Sequence, residues 1–388
     1  MKIFGVDKNI ILLGLVSFFT DISSEMIFSV FSVFFTVILG ASTLLLGLIE
    51  GLADFSASSL DYVSGFLSDK TGKRKKYAGM GYAFSTLSKT LLLTANSVIF
   101  ASLFRVVERL GKSFRGPPRD AWLSSLAEKE NKGYSFAIHK TFDKSGAIIG
   151  PLIAYAILSF YGQTSSTFKF MFLIALIPAI IAVLILLLVK EKQEKPKKRE
   201  NIFKAYKTLD KGFNQYLKTA CIFSLAYFSF GFLLLKAYDV GFEIKDIVLL
   251  YALSNVSFVI FAVPVGKLGD KIGRFKIVCA SYVLYLLISL GFILAQTKTL
   301  VAALFVLFGI FYSIDESQTK AYITDLEQRK KGTALGVYNF ATGIVYLFAS
   351  IIAGLLWKFN PNYTFIFGAL IAMIALIYFV KSNKILKY

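Results

Sequence analysis

Charge is scarce in this chain, and negative charge is the scarcer kind. Asp, Glu, Lys and Arg make up 17% of the 388 residues, with 43 Lys and Arg against 24 Asp and Glu. Hydrophobic residues account for 56%, and the mean hydropathy is +0.65. Such a chain is too apolar for an ordinary soluble domain. Histidine occurs once, at His139, so a Ser/His/Asp hydrolase has little to build on. Cysteine occurs twice, at Cys221 and Cys279 in separate apolar runs, and both read as small buried hydrophobes. No Cys/His set has metal-ligand spacing, and no Gly-x-Ser-x-Gly elbow is present. The absence of a Gly-x-x-x-x-Gly-Lys-Ser/Thr loop leaves no site for ATP hydrolysis as an energy source. Neither a cofactor nor an enzymatic activity is expected. The net charge of +19 invites a nucleic-acid reading. That reading fails because Lys and Arg sit between hydrophobic spans and line no soluble face.

What the chain has in quantity is long apolar runs. A helix crossing about 30 Å of hydrocarbon needs roughly 20 apolar residues. Twelve such runs can be laid down, at 9–39, 42–68, 77–97, 99–124, 133–160, 166–189, 216–239, 246–267, 277–296, 299–325, 332–357 and 363–380. The expected fold is an all-α membrane protein of 12 transmembrane helices. The opening MKIFGVDKNI carries no small-residue cleavage site and reads as the entry to a first span. Connections on one side, such as Gly40-Ala41-Ser42, Thr94-Ala95-Asn96 and 296–299, are short and nearly uncharged, and those on the other side are basic. The bias predicts that the basic loops and both termini are cytoplasmic. The longest connection, Lys190 to Lys218, opens KEKQEKPKKRE. It divides a six-helix half at 1–189 from another at 216–388, with a linker at 190–215 that could bind anionic lipid headgroups. Residues 201–212 could form a short helix along the surface.

Between the second and third runs stands GFLSDKTGKRKK, with Gly65, Asp69, Gly72 and Arg74; GKLGDKIGRFK repeats it with Gly266, Asp270, Gly273 and Arg274. The two aspartates are 201 positions apart, and Lys132-Gly133 and Lys331-Gly332 recur at an offset of 199. This pattern resembles the loop between helices 2 and 3 of the major facilitator superfamily (Gly-x-Leu-x-Asp-x-x-Gly-Arg-Arg/Lys). The resemblance covers nearly the whole chain, is nearest to poorly characterised prokaryotic exporter-like and drug:proton antiporter-like carriers, and so implies the inner membrane of a prokaryote. It implies two pseudo-symmetric six-helix halves that rock about a substrate held at their interface. It also makes Asp69 and Asp270, with the nearby cations Arg115 and Arg119, a cytoplasmic gate.

Ionisable groups at membrane depth cost about 2.5–3.5 kcal/mol on insertion scales, so each one here is a functional candidate. FTDISSEMIF puts Asp21 and Glu25 on one face of the first span, and IEGLADF does the same for Glu50 and Asp54 in the second. Either each carboxylate is neutralised by a neighbouring arginine, or a close pair forms a proton or cation site. Asp61, further along the second span, reads as part of the loop's charge network. The fourth span, LFRVVERLGKSFRGPPRDAWL, carries Arg105, Glu108, Arg109, Arg115, Arg119 and Asp120. The family pattern Arg-x-x-x-Gly, tied to proton coupling, has Arg105 and Arg109 as its nearest matches. In the fifth span His139, Lys140, Asp143 and Lys144 precede Gly146-x-x-x-Gly150-Pro151. That segment resembles the start of the exporters' antiporter motif, although Ala154-Tyr155 replaces its closing small pair. The glycines are expected to pack on a neighbour, the eighth span being the candidate.

The later spans are sparser in charge. Lys236 is expected to snorkel, and Asp315 or Glu316 to face Lys320. Tyr251, Asn255, Tyr312, Gln318, Tyr338 and Asn339 are then left as cargo-facing candidates. The expectation is a monomeric secondary transporter coupling export of a small molecule to protons. Alternatives are movement of a metal or inorganic cation by the four membrane carboxylates, transport of an organic anion by the arginines, and a receptor without transport.

Overall fold

The computed structural model describes residues 2–93, 97–128, 131–191 and 209–386. Thr94-Ala95-Asn96 and most of the basic linker, including the surface helix expected from residue 201, lie outside the described residues.

An apolar chain in hydrocarbon must satisfy its backbone polar groups internally, which favours helix throughout. Among the described residues helix makes up most of each of the twelve runs. After a two-residue hairpin, β1 (Lys2–Ile3) with β2 (Val6–Asp7), come α1 (Lys8–Val33), extended by a π turn at Phe34–Ile38, then α2 (Thr43–Thr71) and α3 (Arg74–Leu93). Next are α4 (Val98–Leu126), α5 (Lys132–Tyr161) and α6 (Ser165–Leu188). The seventh span is split into α7 (Lys211–Ala226) and α8 (Gly231–Asp239). The rest are α9 (Ile244–Ile272), α10 (Arg274–Leu294), α11 (Lys298–Ile314), a π turn at Asp315–Thr319, α12 (Lys320–Leu326), α13 (Lys331–Phe359) and α14 (Pro361–Leu386). Among the described residues ten stretches are long and apolar enough to cross a membrane; α3 and α4 are not among them. The physical reason is their charge: Arg74, Lys75, Lys76 and Lys89 on one, and seven ionisable residues between Arg105 and Asp120 on the other.

Two compact units emerge, and they do not follow the halves of the sequence. One holds residues 1–40, 56–199 and 244–252; the other holds 41–55, 200–243 and 253–388. The opening turns of α2 therefore pack with later helices, and the opening turns of α9 pack with earlier ones. In the second unit a Cβ on Gly47 would lie 2.1 Å from the Ser350 carbonyl oxygen, and one on Gly354 would lie 2.4 Å from that of Thr43. Only glycine allows α2 and α13 to cross so closely. Thr43 reinforces the crossing by donating to the Gly354 carbonyl at 3.1 Å.

Within the first unit Gly146 and Gly150 face α1, not the eighth span. Added Cβ atoms there would come 2.3 Å from the Phe18 carbonyl oxygen and 2.5 Å from that of Ile22. The expectation of an eighth-span neighbour is thus corrected: the small-residue stripe brings α5 against α1. Gly81 and Gly111 do the same for α3 and α4. Below them, Trp122, Tyr82, Leu123 and Leu186 join Ile10 and Leu13 in an apolar core.

In the second unit Glu327, just past α12, ties the entry of α7 to the turn before α13. Its carboxylate accepts the backbone N–H groups of Asp210 at 2.9 Å and of Arg329 and Lys330 at 3.0 Å each. Burial opposes the charged form, but these backbone donors outweigh it and hold the carboxyl below its ordinary value of 4.5. A depressed folded-state pKa adds stability above the unfolded value, which is lost as pH falls through the folded one. Glu327→Gln should therefore lower the thermal midpoint at pH 7 and remove part of the parent's loss of stability below about pH 4.5. Unfolding scans of purified protein at pH 7 and pH 4 measure both effects.

Candidate functional site

The site begins with the polar stripe of α1, whose neighbours are brought close by small residues. Glu25 is buried, and its carboxylate accepts the phenolic O–H of Tyr251, seven residues into α9. One residue earlier, Ser24 accepts a hydrogen bond from Lys89 Nζ at 3.2 Å. Lys89, on α3, is wholly buried. Three residues beyond Glu25, the Phe28 ring lies 4.4 Å below the Arg105 guanidinium and 5.7 Å below that of Arg109. Arg105 is buried and Arg109 half-buried. Such contacts between a guanidinium and an aromatic face steady a cation without neutralising it. Asp21 is half-buried, and its Cβ lies 3.2 Å from where a Cβ on Gly146 would stand. Glu108, also wholly buried, accepts from Ser85 at 3.4 Å. One unit thus gathers Asp21, Glu25, Lys89, Arg105, Glu108, Arg109 and Tyr251 around α1.

Lys89 was not singled out by sequence reasoning. Its signal was a lone lysine inside the apolar stretch STLSKTLLL, on a span otherwise charged at one end. Tyr251 was read as cargo-facing, and in the structure it is a partner of Glu25.

Nearer the basic loops, His139 on α5 bonds Ser17 on α1 at 2.9 Å, and Arg119 donates to the same hydroxyl at 3.3 Å. Arg119 also pairs with Asp120 at 2.9 Å and lies 4.0 Å from Asp143, which binds Lys140 at 3.0 Å. Arg115 is buried with its guanidinium 5.1 Å from the Tyr82 ring centre. Asp61 lies beside Gly116. Gly65 is buried and Asp69 half-buried on α2. Pro151 is buried in α5 beside Gly150.

The repeated loop motif is built alike in both copies. Gly72 and Gly273 turn the chain at φ +69° and +93°, a region that disfavours side-chain-bearing residues. Arg74 donates to the Ala121 carbonyl at 2.8 Å, and Arg274 to that of Ala321 at 3.5 Å. Each acceptor is 47 residues further on. Arg274 further binds Asp270 at 3.3 Å and Asp325 at 2.5 Å. Gly266 faces open space, and the close approach falls instead on Gly269, packed against Gln318.

The second unit has its own buried carboxylate. Glu50, seven residues into α2, accepts from Ser229 Oγ at 3.1 Å. Ser229 sits in the break between α7 and α8, where its Oγ caps the Gly231 N–H at 3.2 Å and its own N–H donates to Ser350 Oγ at 3.3 Å. Asp54, one turn on, is half-buried. Asp315 opens the π turn and accepts from Thr319 at 3.5 Å, and Glu316 lies 4.0 Å from Lys320 as expected. Gln318 is buried on Gly269, which removes it from the cargo-facing set; the π turn inserts an extra residue and shifts the faces that follow. Lys236 does not snorkel: it is buried and donates to Asn362 at 2.9 Å. Tyr338 stacks over Tyr216 at 6.4 Å, Tyr312 packs on Phe258 at 5.3 Å, and Asn255 and Asn339 are half-buried. Around them runs an aromatic band that composition did not reveal, with Phe223 stacked on Tyr282 at 3.9 Å and Tyr227 against Tyr346 at 5.4 Å. Among the described residues no three His, Cys, Asp or Glu side chains are gathered to hold a metal ion.

Long apolar helices that bury Glu25, Glu50, Lys89, Arg105 and Glu108 among themselves are those of a multi-pass membrane protein. The Major Facilitator Superfamily model matches residues 13–244 and 219–385, and the chain belongs to that superfamily. It is 35% identical over 377 residues to an uncharacterized MFS-type transporter of Methanocaldococcus jannaschii, covering 95% of this chain and 94% of that one. Multidrug resistance protein 1 of Bacillus subtilis is 26% identical over 322 residues, 79% of each protein. The nucleoside transporter NupG has the same fold, with a TM-score of 0.81 over 96% of this chain and 99% of that one at 13% identity.

Proposed function

We propose that this chain is a proton-coupled secondary transporter that exports a small molecule by alternating access between the halves 1–189 and 216–388. The observation that carries the reading is the burial of Glu25 near Lys89, Arg105 and Arg109, with the half-buried Asp21 one turn away on the same face. A carboxylate kept at that depth has a reason to exchange a proton during the cycle. The multidrug resistance protein of B. subtilis supports export, and the aromatic band of the second unit suits an apolar or planar cargo. The basic loops and both termini face the cytoplasm in this reading, the linker lies on anionic lipid, and the monomer is the working form. Asp69 and Asp270 with their arginines close the cytoplasmic side. Movement of a hard metal cation by the four carboxylates lacks a gathered ligand set among the described residues.

Proteoliposomes with an internal pH-sensitive dye test the reading under an imposed pH gradient. Cations, organic anions and lipophilic drugs are added one at a time. One cargo should trigger proton movement, and Asp21→Asn or Glu25→Gln should abolish it. Cargo movement without proton flux would demote these carboxylates to structural partners of the arginines.

A further inference from the structure

Two hydrogen bonds of the same chemistry join helices from opposite halves of the sequence. In one unit Tyr251 of α9 donates to Glu25 of α1; in the other, Ser229 between α7 and α8 donates to Glu50 of α2. The bonds are related by the internal repeat. Glu50 and Tyr251 are 201 positions apart, the offset that also relates Asp69 to Asp270. Each lies seven residues from the start of its helix, about 10 Å from the end remote from the basic loops. The first and seventh spans both open after an aspartate, Asp7 and Asp210, an offset of 203. That offset carries Glu25 to position 228, beside Ser229. Carboxylate and hydroxyl have exchanged sides between the two copies. The first-and-eighth-span pair keeps its acid on span one, and the second-and-seventh-span pair keeps its acid on span two.

We infer that Glu25–Tyr251 and Glu50–Ser229 are matched, proton-released latches that hold the sequence halves together on the side remote from the basic loops, with Ser229 as a positioning residue for Glu50. An O–H bond to an ionised carboxylate is roughly twice as strong as one to a neutral acceptor. When a proton adds to either carboxylate, the acid remains a weaker acceptor and the hydroxyl keeps its own proton. Two protons release both latches, so the remote side opens when both acids are neutral. The inference rests on proton-coupled transport, and it adds a second proton site and the event that each proton controls.

The surroundings of the two acids differ. Glu25 has Asp21 on its own helix, Lys89 from α3, Arg105 and Arg109 from α4 over the neighbouring Phe28 ring, and Tyr251 from α9; Asp21, one turn away, faces Lys112 and Arg115 from α4 and Asp143 from α5. Glu50 has Asp54 on its own helix and Ser229 from the break; from α13, Ser350 bonds the Ser229 N–H and the titratable Tyr346 faces Asp54. The Glu50 bond also reaches the backbone. Ser229 caps α8 and is anchored by Ser350, so losing the carboxylate loosens the hinge between α7 and α8.

The test needs no cargo. Full-length protein with Cys221→Ser and Cys279→Ser carries spin labels at Ser165→Cys and Lys358→Cys, at the remote ends of α6 and α13. Pulsed dipolar distances are recorded in lipid nanodiscs from pH 8 to pH 5. Acidification should lengthen the distance in the parent. Glu25→Gln or Glu50→Gln, each isosteric with the protonated acid, should shift the closed-to-open ratio at pH 8 by about tenfold, and the double variant by about a hundredfold. Tyr251→Phe and Ser229→Ala should act like their partners' Gln variants, and Ser229→Thr should behave as the parent. A double Gln variant with the parent's distances at every pH overturns the latches, even if proton-coupled transport stands. A normal pH-driven opening without proton flux in proteoliposomes sinks the coupling reading and leaves the latches in place.

Discussion

Replacing Gly150 with valine should abolish transport and cost the fold several degrees of thermal midpoint. The Cβ that any substitution introduces would stand 2.5 Å from the Ile22 carbonyl oxygen and 2.9 Å from the Met26 nitrogen. Both are backbone atoms of α1, which cannot swing aside as a flexible side chain can. One turn earlier, a Cβ on Gly146 would press on the Phe18 carbonyl and the Asp21 side chain. Relief therefore requires α5 to retreat as a body from α1, carrying His139 away from Ser17 and Asp143 away from the charged groups of α1 and α4. Overpacking of this kind costs about 1–3 kcal/mol per site. Gly133→Ala is the control, because its added Cβ meets nothing and alanine favours helix. Scans in detergent and transport in proteoliposomes should separate the two variants clearly. A Gly150→Val protein with parental midpoint and rate would show that the α1–α5 contact is looser than the distances say.

Lys89→Met should lower transport by about tenfold or more while leaving the fold as stable as the parent's, or more so. Lys89 is wholly buried, and its Nζ bonds Ser24, beside Glu25. Ser85, one turn away on α3, bonds Glu108, so this face of α3 serves α1 and α4 together. Methionine fills nearly the same volume without charge, and replacing buried charge by a well-packed apolar group is often neutral or stabilising. Function should respond in the opposite direction, because the acids of α1 lose a fixed positive neighbour, and couplings between sites are on the order of 1–3 kcal/mol. A variant that transports normally and differs only in thermal midpoint would make Lys89 a structural residue.

Hydropathy along the chain placed the spans to within a few residues, because hydrocarbon demands long apolar stretches and water demands charge between them, but it missed the break between α7 and α8 and the π turn before α12. It also marked Glu25, Glu50 and Arg105 as residues held inside at a cost. The local motif was equally legible: Gly72 and Gly273 turn the chain where the repeat puts them, and Glu316 meets Lys320 at the spacing of one helical turn. Sequence offered no route to the partners. Gly146 and Gly150 announced a close neighbour, but only packing chose α1 over the eighth span. Tyr251 and Ser229 are ordinary residues in their own helices; they become partners of Glu25 and Glu50 because helices some 180 to 230 positions apart are brought side by side. Helix formation is local and periodic, so it is written along the chain. Which faces meet depends on the shape of every side chain at once, and that only the folded molecule decides.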